Sequence, residues 1–192
     1  MKFKTINPAT EEVVGEHELM PKEKVIGIAK KSQAAFNEWK NTDIDERSGY
    51  FRKLAKVLRN DKEMHAKLIT TEMGKPIKQS LTEIEKCAWT AEFYAENAEK
   101  WLEEENIQVD GKKHIVTFEP LGTIVSVMPW NFPFWQAFRF GIPTVIAGNV
   151  SILKHSNVVP QCALAIEEAF SEAGFPENVF KTVITDHETV AE

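Results

Sequence analysis

The sequence is poor in cysteine. Only Cys87 and Cys162 occur in 192 residues, and neither belongs to a CxxC pair. A disulfide framework is therefore excluded, a reducing compartment is the simplest reading, and a cytoplasmic location is expected. Histidine is sparse: His17, His65, His114, His155 and His187 are scattered, with no HExxH and no His/Cys ligand spacing, so no metal site is expected. No stretch approaches the roughly 20 apolar residues of a membrane helix. The most apolar tract, Thr123–Pro133, is short and is broken by Pro129. The opening residues carry acidic side chains and no apolar run of signal-peptide length, so no secretory leader is expected. Basic residues do not dominate. Against 29 Asp and Glu stand 23 Lys and Arg, a net charge of −6, and nucleic-acid binding is not expected. Glycine-rich phosphate loops are missing too: neither GxGxxG nor a GxxxxGKS/T loop is present.

What is present is an ordinary globular composition, 43% hydrophobic and 27% charged, with 12 Phe and 5 Trp to fill a core. Three zones follow one another. Residues 1–105 read as mainly helical. A short extended opening, Phe3–Gly15, holds a turn at Asn7-Pro8-Ala9-Thr10. Helical spacing then recurs through Val25, Ile28, Ala29, Ser32, Phe36 and Trp39, through Phe51, Leu54, Val57 and Leu58, and through Met64, Leu68, Ile69 and Met73. Gly74 and Pro76 form a stop signal. The longest pattern joins Ile77, Leu81, Ile84, Ala88, Ala91, Ala95, Ala98 and Leu102, and predicts a core-facing helix rather than a free coiled coil, because alanine dominates it. Residues 106–119 alternate around Asp110-Gly111, a tight hairpin signal. Residues 120–192 read strand, helix, strand, helix, strand, with strands at Thr123–Met128, Val150–Leu153 and Val179–Ile184 and helices at about Phe134–Ala147 and Val159–Ala173. That alternation predicts an α/β fold with an open, Rossmann-like parallel sheet and right-handed crossovers.

Two segments stand out chemically. Met128-Pro129-Trp130-Asn131-Phe132-Pro133 falls at the carboxyl end of the first strand of this sheet, where open α/β sheets bind ligands. Asn131 reads either as a helix N-cap or as a neutral, rigidly held amide donor to a developing oxyanion. Lys154-His155-Ser156-Asn157 follows the second strand and reads either as a solvated loop or as a ribose- or phosphate-holding one. Cys87 and Cys162 lie on apolar helix faces and read as small buried hydrophobes. The carboxylate pairs Glu11-Glu12, Glu103–Glu105 and Glu167-Glu168 read as solvated faces.

Taken together, the sequence resembles the aldehyde dehydrogenase superfamily. The resemblance runs along the whole chain through Asn7-Pro8-Ala9-Thr10, Thr71-Glu72-Met73-Gly74-Lys75-Pro76, Glu119-Pro120-Leu121-Gly122, Pro129-Trp130-Asn131-Phe132-Pro133, Ala147-Gly148-Asn149, Lys154 and Ala173-Gly174-Phe175-Pro176. Glu85–Trp89, Tyr94-Ala95-Glu96 and Leu153-Lys154-His155 look most like the bacterial succinate-semialdehyde dehydrogenase branch. The resemblance implies an NAD(P)-dependent oxidation of an aldehyde by thiolate attack, hydride transfer to the nicotinamide and thioester hydrolysis by Glu-activated water. It implies Asn131 as the oxyanion-stabilising catalytic residue. Met128, Pro129, Trp130, Asn131, Lys154, Ser156 and Asn157 become cofactor-binding positions. Asn157 falls where NAD-preferring members often carry a Glu, so NADP should be tolerated beside NAD. The 106–119 hairpin resembles the family's oligomerisation arm and implies a homo-oligomer. The family's GQxC nucleophile and ELGG general base have no counterpart here. The chain is therefore expected to be an N-terminal portion, inactive alone and completed by a missing C-terminal part, or else a non-catalytic nucleotide-binding or interaction fragment.

Overall fold

The computed structural model describes residues 2–109 and 111–191. Among the described residues, β1 (Lys2–Ile6) and β2 (Val13–Glu18) form an antiparallel hairpin. The Asn7-Pro8-Ala9-Thr10 turn closes as expected. Asn7 Oδ1 accepts the Ala9 N–H at 2.9 Å, and Asn7 N–H donates to the Glu12 carbonyl at 2.9 Å. Four helices follow: α1 (Lys22–Trp39), α2 (Ile44–Asn60), α3 (Lys62–Met73) and α4 (Ile77–Leu102). The turn between α3 and α4 uses Gly74 at a φ of 77°, a conformation that glycine adopts without a Cβ clash.

The long helix α4 packs against α2, α3 and α5 (Pro133–Ile146). Its buried face includes Ile84, Cys87, Ala88, Ala91, Ala95 and Ala98, so the alanine spacing marks the side where neighbours approach closely. On its other flank, Arg59 of α2 reaches Glu92 with Nη2 at 2.7 Å, and Glu85 with Nε at 2.9 Å.

A second hairpin, β3 (Glu105–Val109) with β4 (Lys112–Val116), stands exposed. Val109 pairs with Lys112, and Gly111 takes a φ of 84°. The Asp110 half of the expected turn lies outside the described residues. Ile107, Val109, Ile115 and Val116 are all exposed on this hairpin.

The last part is the expected parallel sheet, in the order β5 (Thr123–Met128), β6 (Val150–His155), β7 (Phe180–Val183). Helices α5 and α6 (Pro160–Glu172) cross between neighbouring strands, and a short α7 (His187–Ala191) follows. Every residue of the central strand β6 is buried, as two covered faces demand. Asn149 sets the start of β5. Its Oδ1 accepts the N–H groups of Leu121 at 2.6 Å and Gly122 at 3.0 Å, while Nδ2 donates to the Thr144 carbonyl at 3.1 Å.

The aromatic core centres on Phe170. Its ring stacks on Phe180 at 4.1 Å and on Phe138 at 5.7 Å, and meets Phe175 edge-on at 4.8 Å.

Two expectations need correction. The buried face of α3 is His65, Ala66, Ile69 and Glu72, whereas Met64 is exposed, because α3 turns Glu72 toward the first turn of α6 and His65 toward the Phe134 ring. Glu167 is not a solvated carboxylate: it accepts the Thr182 N–H at 2.6 Å and pairs with Lys181.

His65 is packed on the Phe134 ring, 5.0 Å between centroids, and neither ring nitrogen has a partner. Burial pushes its pKa below the ordinary 6.5, with the Asp61 charge opposing. A depressed histidine pKa gives stability that is present above 6.5 and lost as pH falls through the folded value. We predict that His65→Leu gains about 1 kcal/mol at pH 8, by removing two unpaired buried nitrogens, and gains more at pH 5. Denaturant unfolding at both values checks this; an equal gain, or a loss, contradicts it.

Candidate functional site

The site begins with how two helices start. Helix α5 opens at Pro133 and α6 at Pro160, each fixed by proline at its first position. The residues before them, Phe132 and Val159, have no side chain able to cap. The free N–H groups of both first turns are instead taken by carboxylates from distant helices. Glu83 of α4 accepts the Phe134 and Trp135 N–H groups through Oε1, both at 3.0 Å. Glu72 of α3 accepts the Gln161 N–H at 2.9 Å and the Cys162 N–H at 2.8 Å. Asn131 is therefore not the cap of α5. Its side chain makes no hydrogen bond among the described residues and is exposed.

Glu83 is 4% exposed and pairs through its second oxygen with Lys75, which is itself buried and lies 3.7 Å over the Phe132 ring. One carboxylate thus fixes both the first turn of α5 and the aromatic residue beside Asn131. No cation pairs with Glu72 among the described residues. Burial pushes its pKa up, and the two backbone N–H groups pull it partly back.

Six of the seven expected cofactor positions come together. Met128, Pro129, Trp130, Lys154, Ser156 and Asn157 line one cavity of about 570 Å³ at the carboxyl ends of β5 and β6. The two strand ends are joined there by the Ser156 N–H, which donates to the Met128 carbonyl at 3.0 Å. Lys154 is 2% exposed, and its ammonium makes no hydrogen bond among the described residues. Burial lowers its pKa, opposed by the charge of Asp186. A buried cation at a cavity wall, with hydroxyl and amide neighbours, has the chemistry to hold a phosphate or ribose.

The seventh position, Asn131, lines a different groove of about 650 Å³ between α4 and α5. Lys78, Lys86 and Arg139 give that groove cationic walls, and Lys86 sits 3.6 Å over the Trp135 ring. The segment from Pro129 to Asn131 therefore has the strand-end cavity on one side and the cationic groove on the other.

Several residues here carried no sequence signal as site components: Glu72, Glu83, Arg139, and His187, which reaches the strand-end cavity from α7. Neither Glu72 nor Glu83 belongs to the apolar spacing read along its helix, so no sequence signal marked either one. Both cysteines are buried, and burial pushes both thiols well above their ordinary range. A thiol buried in this way is held in its protonated, weakly nucleophilic form. Among the described residues no cluster of His, Cys, Asp and Glu has the arrangement of a metal site, and no helix is long and apolar enough to cross a membrane.

An open parallel sheet, helix-crossed, with a cation-bearing crevice outside its strand ends, defines a Rossmann-like α/β layer. The chain belongs to the aldehyde dehydrogenase family, whose profile matches residues 1–192. It is 42% identical over 192 residues to a probable NADP(+) succinate-semialdehyde dehydrogenase of Synechocystis, covering 100% of this chain and 42% of that protein. It is 37% identical over 188 residues to a succinate semialdehyde dehydrogenase of Escherichia coli K12 described as NAD(P)+-dependent, covering 98% and 41%. Among solved structures, the succinic semialdehyde dehydrogenase of Streptococcus pyogenes with NADP+ superposes with a TM-score of 0.95 at 28% identity, covering 98% of this chain and 42% of that one. The corresponding enzyme of Burkholderia pseudomallei gives 0.93 at 28%, covering 99% and 40%. The chain thus spans about two fifths of the length of these relatives.

Breaking the buried pair should be costly. Glu83→Gln is expected to lose about 3–5 kcal/mol, because Lys75 is left charged and unpaired. Adding Lys75→Met should recover part of that loss. Urea unfolding of the two variants tests this, and a single variant within 1 kcal/mol of wild type by the same estimate would contradict it.

Proposed function

We propose that this chain supplies the nucleotide-binding face and the oxyanion donor of an NAD(P)-dependent aldehyde dehydrogenase whose substrate carries a distal carboxylate, such as succinate semialdehyde. The observation that carries this reading is the cavity joining Trp130, Lys154, Ser156 and Asn157, with Asn131 at the next position along the same segment. The names and NADP+-bound form of the relatives support it.

The residues present fit the dinucleotide. The Lys154 ammonium lacks a hydrogen-bond partner among the described residues, and a ribose 2′-phosphate or hydroxyl would provide one. The Ser156 hydroxyl can donate beside it. Asn157, being neutral, adds no repulsion against a phosphate, so NADP is accepted along with NAD. When bound, the nicotinamide supplies the two-electron acceptor for oxidation of the aldehyde.

The chain's own chemistry lies at Asn131. Its amide N–H donates to the oxygen that gains charge as the carbonyl is attacked, and it does so without bringing a charge of its own. The prolines at 129 and 133 and the Glu83 anchor restrict the backbone around Asn131, which lowers the cost of bringing that amide into place. In the groove, Arg139, Lys78 and Lys86 would draw in and orient the substrate's carboxylate. The nucleophilic thiol and the general base belong outside these residues, since Cys87 and Cys162 are buried and protonated. Alone, the chain turns over no aldehyde. We further propose that the exposed 106–119 hairpin pairs subunits.

Calorimetric titration of the chain with NADP should show saturable binding, weakened about tenfold or more in Lys154→Ala, with a smaller loss for NAD. Flat titrations would contradict the reading. In the whole enzyme, Arg139→Gln should raise KM for a carboxylated aldehyde about tenfold while leaving a neutral aldehyde nearly unchanged. Equal effects on both substrates would remove Arg139 from substrate selection.

A further inference from the structure

The two walls of the strand-end cavity are joined by a side chain that the proposed reaction does not use. His155 is the last residue of β6, directly after Lys154, and is 3% exposed. Its Nδ1 accepts the Ser156 N–H at 2.8 Å. A ring nitrogen that accepts carries no proton, so the neutral imidazole has its proton on Nε2. Nε2 lies 2.9 Å from the Pro133 carbonyl oxygen, to which it donates. Pro133 is the first residue of α5, two positions after Asn131. The Ser156 N–H is shared between His155 and the Met128 carbonyl. A continuous path therefore runs from the end of β5, through the Ser156 amide and the imidazole, to the start of α5.

We propose that His155 is a positioning residue: it clamps the Trp130–Pro133 segment to the Lys154–Asn157 loop, so that the cofactor cavity and the Asn131 amide keep a fixed separation. This rests on the cofactor reading of that cavity. The neighbouring contacts favour the neutral ring that the clamp requires. Burial lowers the His155 pKa and the charge of Lys154 lowers it further, while the Pro133 carbonyl acts the other way. Removing the imidazole frees the carbonyl of the first α5 residue and breaks the side-chain link between the start of α5 and the end of β6. Glutamine can place an N–H close to the Nε2 position and so restore the bond to Pro133; alanine cannot.

The test uses the whole chain in three forms: wild type, His155→Ala and His155→Gln. Nitrogen-15 spectra of wild type at neutral pH should show the Nε2–H tautomer. Amide hydrogen exchange across residues 130–135 should rise about two- to tenfold in His155→Ala, the worth of one net hydrogen bond, and return toward wild type in His155→Gln. NADP affinity should follow the same order, with His155→Ala weaker by a similar factor and His155→Gln within about twofold of wild type. An Nδ1–H tautomer overturns the proposal. So does His155→Ala with unchanged exchange, or His155→Gln no better than alanine. If wild type takes up no NADP, the cofactor reading falls, and the exchange measurements still decide whether the clamp exists. A shared loss of cooperative melting in both variants would mark His155 as a general core residue and also overturn the positioning role.

Discussion

The structure depends on where the N–H groups of two helix starts find their acceptors. A helix leaves its first N–H groups unpaired, and a buried start without acceptors is costly. Helices α5 and α6 both begin with proline behind an apolar residue, so neither caps itself. Glu83 and Glu72 meet that need from α4 and α3, and their negative charge also suits the positive end of each helix. The helical part of the chain and the parallel sheet are thereby fastened together at the helix starts beside the strand-end cavity. The two anchors differ in how their charge is balanced. Glu83 has Lys75 as a partner, whereas Glu72 is held by the Gln161 and Cys162 N–H groups and burial pushes its pKa up.

The anchoring explains why the strand-end segment can face two ways. The Pro129–Phe132 stretch is flanked by the Glu83 bonds to the first turn of α5 and Lys75 over the Phe132 ring, and by the contacts of Ser156 with Met128 and of His155 with Pro133. Trp130 then borders the cavity with Lys154, and Asn131 borders the cationic groove with Arg139. On the function we propose, an electron acceptor and an aldehyde would approach the same short segment from different sides without competing for one pocket. The two thiols play no part in this. Cys162 sits in the first turn of α6 and Cys87 in the α4 core, both sealed from solvent.

Much of this was legible in the sequence. The alternation of strands and helices located β5, α5, β6 and α6 closely, because Gly148, Gly174 and the paired prolines mark their ends. The alanine spacing of 77–102 gave α4 and its buried face. Six of the residues expected to bind cofactor line one cavity because they occupy adjacent strand ends, a relation that parallel topology dictates. The anchors were not legible. Glu83 lies 51 and 52 positions from the N–H groups it accepts, and Glu72 lies 89 and 90 from its own. A carboxylate in a helix reads as solvated until its partner is known. The same holds for Glu167 and Thr182, and for His155, whose role depends on a carbonyl across the sheet's end.

The most direct test is a proton–nitrogen correlation spectrum of the chain in which Glu83→Gln and Glu72→Gln are compared with wild type. Loss of a carboxylate acceptor should move the amide protons of Phe134 and Trp135 upfield in the first variant only, and those of Gln161 and Cys162 in the second only. If both pairs stay in place, or both move together in either variant, the two carboxylates are not separate anchors of α5 and α6, and the account of how the site is held is wrong.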